Sequence, residues 1–198
     1  MKRAYKPCKK QIVRLFAAAC AVLAAACSAT ARAETKGAGA DMFSRGAGFW
    51  EITAGRSFDD RLGMISLAQC AIGHYIRDRL AVHYGAAVGY AATKRTQDGF
   101  LAGPVIGARW HFIEVQRWSL FLDGSAGAIY HEHPVKEDTL RFNFDLQAGA
   151  GTTFRTGSRT ALQGGFSWHH LSNGRIRGKS YNYGYDGPMV YLGVIRAL

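Results

Sequence analysis

The sequence predicts an all-β protein, an eight-stranded antiparallel transmembrane β-barrel preceded by a cleaved signal peptide. Three observations predict it. Residues 1–33 have the layout of an export signal; the remaining chain alternates apolar and polar residues in eight separate stretches; and after the signal no apolar run approaches the roughly 20 residues of a spanning helix.

The signal comes first. Lys2, Arg3, Lys6, Lys9, Lys10 and Arg14 form a positive leader, Leu15 to Cys27 is an unbroken apolar run, and Ala31-Arg32-Ala33 offers the small-x-small pattern of a signal peptidase site. The predicted organisation is therefore a signal peptide over 1–33 and one barrel domain over 34–198. This division also accounts for the charge. The whole chain carries +11, but the signal holds seven Lys or Arg and no acid, leaving 18 basic against 14 acidic residues. With so small an excess and no basic stripe interleaved with aromatics, nucleic acid is not an expected partner. Cys8, Cys20 and Cys27 leave with the signal, so Cys70 has no intrachain partner for a disulfide and reads as a packed apolar side chain.

Strands are expected near residues 46–56, 63–72, 78–92, 100–114, 118–131, 138–155, 159–172 and 187–197. The clearest is the sixth, where Leu140, Phe142, Phe144, Leu146, Ala148 and Ala150 share one face and Arg141, Asn143, Asp145 and Gln147 the other. In the third, Leu80, Val82, Tyr84, Ala86, Val88 and Tyr90 oppose His83. In the fourth, Phe100, Ala102, Ile106, Ala108, Trp110 and Phe112 oppose Arg109 and His111, and in the fifth Trp118, Leu120, Leu122, Ala126, Ala128 and Tyr130 oppose Ser119, Asp123 and Ser125. A soluble sandwich also alternates. The barrel is favoured because small and polar residues fill the less apolar face, as a narrow interior requires, while bulky groups point the other way, toward lipid. The 24 glycines suit a crowded, curved wall.

With both termini periplasmic, the connections at 73–77, 115–117 and 156–158 are short turns, and those at 93–99, 132–137 and 173–186 are longer external loops. The expected location is the outer membrane of a Gram-negative bacterium.

Strand seven carries the chemistry. In Phe166-Ser167-Trp168-His169-His170-Leu171-Ser172-Asn173-Gly174, alternation places Leu162, Phe166, Trp168, His170 and Ser172 on the lipid side and Gln163, Ser167 and His169 inside. An imidazole and a hydroxyl in that position are costly to desolvate and mark a functional candidate. A serine hydroxyl needs a base, and imidazole titrates close enough to neutrality to act as one, so His170 and Ser172 form a candidate dyad at the external end of the strand. The bland alternative is an interfacial His and Ser that bind headgroups and catalyse nothing.

The segment His170-Leu171-Ser172-Asn173-Gly174, on the penultimate strand of a signal-bearing eight-stranded barrel, resembles the His-x-Ser-Asn motif of the PagL family of lipid A 3-O-deacylases. The resemblance covers the architecture of the mature chain but specific residues only from about Trp168 onward. It implies that His170 is the general base, that Ser172 is the nucleophile attacking the ester at position 3 of lipid A, and that Asn173 helps form the oxyanion hole, with the Gly174 amide as a second donor. It implies no cofactor and no metal; the expected partners are lipid A or lipopolysaccharide in the outer leaflet and outer-membrane lipid, and a homodimer is compatible with it. Members of the family with a full triad place an acid shortly before or within the last strand. Simple alignment of that strand sets Met189 at the position, and Asp186 is the nearest carboxylate. Asp186 also reads as a turn residue in Tyr185-Asp186-Gly187-Pro188.

Arg175, Arg177 and Lys179 follow the serine and are candidates to meet lipid A phosphates, with Tyr181, Tyr183 and Tyr185 expected at the headgroup boundary. His131 and His133 flank Glu132 in an expected external loop without a further ligand. His169 is expected to hydrogen-bond inside the barrel. Two other functions stay open at this point: an outer-membrane phospholipase-type esterase using the same dyad, and a structural or adhesive barrel with no activity.

Overall fold

The computed structural model describes residues 41–198 except 137, 138, 177, 179, 180 and 183. The predicted signal peptide lies outside the described residues. Eight strands follow in order: β1 (Gly48–Asp59), β2 (Gly63–Arg77), β3 (Leu80–Thr93), β4 (Gly99–Val115), β5 (Trp118–His131), β6 (Phe142–Arg155), β7 (Thr160–Ser172) and β8 (Tyr185–Ala197). Each pairs antiparallel with its sequence neighbour, and β8 returns to β1, from Phe49↔Ala197 to Ser57↔Met189, so the sheet is closed. Closure is what the membrane demands, because an unpaired strand edge in hydrocarbon leaves N–H and C=O groups without partners at several kcal/mol each.

All eight expected strands are present, with differences at their ends. The expected turn at 73–77 is strand: β2 runs through Arg77, β3 begins at Leu80, and the connection is only Asp78-Arg79. Arg79 has φ 66° and the β2–β3 register shifts between Tyr75 and Arg77, so a bulge beside a left-handed residue makes the tight reversal. The β4–β5 turn repeats the device, with Gln116 at φ 52° and a shift between His111 and Ile113. The even strand number puts the start of β1 and the end of β8 at this turn end; the described residues of segments 60–62, 94–98, 132–141 and 173–184 lie at the loop end.

The faces are as expected from alternation. Ile52, Ile106, Leu120, Leu122, Leu146, Leu162, Phe166, Val190 and Leu192 form an exposed apolar band. Aromatic rings border it at both ends: Trp110 with Phe112 and Trp118 with Phe154 on the turn side, Tyr90 with Phe100 and Phe142 with Phe144 on the loop side. Such girdles belong to the two membrane–water boundaries.

The interior departs from the expectation of small and polar filling. It is layered. At the turn end Phe43, Phe49, Tyr75, Ala161 and Ile195 form one buried apolar cluster, and at the loop end Ile65, Leu67, Leu101, Ile129 and Leu171 belong to another. Between them lies a charged layer in which Arg109 donates to Glu51 at 2.7 Å and to Gln163 at 2.8 Å and approaches Asp123 at 3.5 Å, while the Tyr191 hydroxyl donates to Asp123 at 2.7 Å. Segment 41–47 crosses the turn end, where Phe43 stacks on His111 with ring centroids 4.1 Å apart and the Arg155 guanidinium lies over its ring.

Arg109 is the guanidinium that balances the buried Glu51 and the part-buried Asp123 in this layer, so its loss leaves charge uncompensated inside the wall. Arg109→Ala is expected to destabilise the barrel by about 3–5 kcal/mol, read as a lower urea midpoint for the folded, heat-modifiable band. Combining it with Glu51→Gln recovers part of the loss.

Candidate active site

β7 delivers its side chains alternately to the two faces. Ser167 and His169 are buried inside, whereas Phe166 and Trp168 are exposed outside and the His170 side chain is one-third exposed. β8 lies beside it in the register His170↔Asp186, one step from Leu171↔Tyr185. Residues directly opposite on one face of an antiparallel pair have β-carbons within about 5.5 Å, and the two side chains meet: His170 Nδ1 lies 2.6 Å from Asp186 Oδ1. A carboxylate can only accept, so Nδ1 is the donor and Nε2 is left to take a proton from elsewhere. Trp168 Nε1 donates to the same Asp186 oxygen at 3.4 Å. Ser172 projects outward two residues beyond His170, cross-strand from Phe144.

Asp186 is thus in β8 and not in a turn. Met189, the position that simple alignment favoured for the acid, is buried inside the barrel opposite Ser167, on the face away from His170. The physical reason is parity: positions three apart on a strand face opposite ways, and only 186 shares the outward face with 170.

Beyond Ser172 the chain turns at once. Gly174 and Arg175 both have φ 62°, and Ile176 N–H donates to Asn173 O at 3.3 Å, the signature of a type I′ turn. Asn173 is buried and occupied: its N–H donates to Asn182 Oδ1 at 2.9 Å, its Nδ2 to Tyr181 O at 2.6 Å, and its Oδ1 accepts the Arg175 N–H at 3.0 Å. It holds the loop against β7, leaving one Nδ2 hydrogen for other work. Gly174 is exposed, and a β-carbon there would stand 3.2 Å from the Phe144 ring. Arg175 is exposed; Arg177, Lys179 and Tyr183 lie outside the described residues. Tyr181 is exposed as expected, but Tyr185 is fully buried inside the barrel and not at the headgroup boundary, again through the parity of β8.

Several neighbours escaped the sequence reading. Asp59, at the end of β1, accepts the N–H groups of Arg61 and Leu62 and also that of Asp186, the last at 3.0 Å. An Asx turn at Asp59-Asp60-Arg61 is legible locally, but its reach to β8 depends on barrel closure. Gly187 permits that reach, since a β-carbon there would sit 1.8 Å from Phe58 O. Gly184 flanks the pair itself: a β-carbon would stand 3.1 Å from Asp186 Oδ2 and 3.4 Å from His170 Cε1. His131 is buried within β5 and His133 Nε2 lies 4.0 Å from Glu132 Oε1; among the described residues no three His, Cys, Asp or Glu side chains assemble around a common point for a metal.

Residues 72–194, the greater part of the chain with His170, Ser172 and Asp186 among them, match the family described as lipid A 3-O-deacylase (PagL). The chain belongs to the PagL family. No curated protein matches its sequence. Among solved structures, the N-terminal β-barrel domain of Pseudomonas aeruginosa OprF aligns at 13% identity over 78% of this chain and 98% of that one, with a TM-score of 0.54. Neisserial surface protein A aligns at 12% identity over 76% and 95%, with a TM-score of 0.53, and Pseudomonas aeruginosa OprG at 7% over 80% and 99%, with 0.51. These likenesses establish the outer-membrane barrel fold. PagL membership makes the protein a carboxylic ester hydrolase of the Gram-negative outer membrane, a lipid A 3-O-deacylase.

In this PagL barrel Gly184→Val is expected to push the His170–Asp186 pair apart and lower lipid A deacylation by about tenfold or more, with the folded band on unheated gels retained.

Proposed function

We propose that this protein is a serine esterase that removes the 3-O-linked 3-hydroxyacyl group of lipid A from within the outer leaflet, with Ser172 as nucleophile, His170 as base and Asp186 as the acid that orients it. The observation that carries the reading is the 2.6 Å contact between His170 Nδ1 and Asp186 Oδ1 on the lipid-facing side of the loop end. Asp186 fixes the ring and the proton on Nδ1, so that Nε2 is the basic nitrogen.

In this mechanism Nε2 takes the Ser172 proton as Oγ attacks the ester carbonyl, and the tetrahedral oxyanion is met by the Gly174 amide and the remaining Asn173 Nδ2 hydrogen. His170 returns the proton to the departing sugar hydroxyl. Water, deprotonated by the same Nε2, then releases the 3-hydroxy fatty acid from Ser172. A shallow outward groove beside His170, floored by Ala126 and Ala148 and walled by Ile106, Leu146 and Trp168, suits the acyl chain. Arg175 at the loop, with Arg177 and Lys179 near it in sequence, supplies cations matched to the lipid A phosphates.

Mass spectrometry of lipid A from cells making equal amounts of each barrel tests this. The wild type is expected to remove one 3-hydroxyacyl group and Ser172→Ala none; Asp186→Asn, which keeps the shape but not the charge, is expected to lower kcat by roughly a hundredfold or more. Lipid A trimmed equally by Ser172→Ala would remove the proposed nucleophile, and fatty acid released from glycerophospholipid instead would redirect the substrate.

A further inference from the structure

His170 and Asp186 face outward, so alternation turns their preceding neighbours, His169 and Tyr185, into the barrel. Both are fully buried and both touch the same atom. Ser57 Oγ of β1 lies 2.8 Å from His169 Nδ1 and 2.9 Å from the Tyr185 hydroxyl, and the two rings meet nearly edge to face at 5.5 Å. On the far side, His169 Nε2 is 3.2 Å from Asp145 Oδ1, within ion-pair range though off the line of a hydrogen bond.

The carboxylate gives the cluster a direction. With the proton of His169 on Nε2, toward Asp145, Nδ1 accepts; Ser57 then donates to His169 and accepts from Tyr185, so each hydroxyl donates once. Two residues along β1, Asp59 accepts the N–H of Asp186 itself, with its side chain wholly buried. Ser57 and Asp59 are consecutive inward residues of β1. Together they grip β7 and β8 immediately beside the His170–Asp186 pair, from the opposite side of the wall.

We propose that Ser57 and its hydrogen-bond partner Tyr185 are positioning residues of the deacylase, fixing from inside the barrel, beside the Asp59 contact, the backbone from which His170 and Asp186 project. This rests on the acid–base reading of that pair given above. Neither residue touches substrate; each acts by setting the direction of an outward side chain, where an error of about 1 Å can cost on the order of a hundredfold in rate.

The interior supplies its own control. At the turn end Ser119 Oγ contacts His111 Nδ1 at 2.7 Å and Thr153 Oγ1, a buried Ser–His contact of the same kind remote from the site. Purified Ser57→Ala, Tyr185→Phe and Ser119→Ala barrels would be compared with wild type on lipid A in detergent micelles, with rates expressed per folded barrel. The ¹⁵N signals of His170 would be recorded in histidine-labelled samples. Ser57→Ala and Tyr185→Phe are expected to lower kcat about tenfold with KM nearly unchanged, and to shift the His170 ring nitrogens away from the Nδ1-protonated pattern. Ser119→Ala is expected to change neither. Wild-type kcat and an unaltered His170 spectrum in folded Ser57→Ala and Tyr185→Phe would overturn the inference, as would an equal loss in Ser119→Ala. Ser172→Ala, run alongside, separates the two claims: activity retained there overturns the catalytic reading, whereas activity lost there and kept in Ser57→Ala overturns only the positioning role.

Discussion

The pleat of a closed sheet governs this molecule. Each strand must pair on both sides because lipid offers its backbone no partner, and each side chain must point opposite to the one before it. Under those two conditions the outer face is surrendered to the membrane and the inner face must be filled by whatever stands between the outward residues. Placing His170 and Ser172 outside therefore commits His169 and Leu171 to the interior, and placing Asp186 outside commits Tyr185 and Gly187. The seam between first and last strands then brings Asp59 to within hydrogen-bond distance of the amide of a residue 127 positions away. The acid of the pair thus takes its surroundings from both ends of the described chain.

The interior filling has a consequence for stability. Apolar clusters at both ends with a charged layer between them make the lumen a packed core, and the buried arginine of that layer is held by two carboxylates and a glutamine, its Nε without a hydrogen-bond partner among the described residues. Buried ions of this kind contribute little net stability over an apolar filling, but breaking one partner is severe. The charges fix which strands meet and at what height. Glu51 of β1, Arg109 of β4, Asp123 of β5 and Gln163 of β7 are joined across the lumen, so the wall is tied across its diameter as well as around its circumference. The proposed esterase site, mounted on the opposite face, is free of that role.

Legibility in the sequence follows the same physics. All eight strands and the outward faces of β3 to β7 were readable because a period of two is a local property, and the outward placement of His170 and Ser172 followed from parity alone. Strand ends were less readable, since the bulges near Tyr75 and His111 extend pairing into segments that look like turns. The acid shows the limit most clearly. Alignment of β8 sets Met189 where the family places its acid, with Asp186 the nearest carboxylate; the cross-strand register is what puts Asp186 opposite His170, and register between strands is not a local property of either sequence. Tyr185 was misplaced for the same reason. The apolar end layers went unseen because Phe121, Ile129 and Leu101 sit among polar residues on the less apolar face, where composition masks individual bulky side chains.

The height of the site on the wall bears on the proposed chemistry. An acyl-serine intermediate must be cleared by water, yet the ester it comes from belongs to an amphiphile whose chains lie in hydrocarbon. Side chains on one face of a strand recur every two residues, about 6.8 Å apart, so the wall offers only a few discrete depths. Two residues below His170 stands Trp168, and two below that Phe166, both exposed in the apolar band, where water is scarce. Two residues above stands Ser172, after which the strand ends and the polar loop begins. The His170–Asp186 pair occupies the last outward step at which β7 and β8 are still paired, immediately below the polar loop. A deeper dyad would lose its water, and a higher one would hang on a loop.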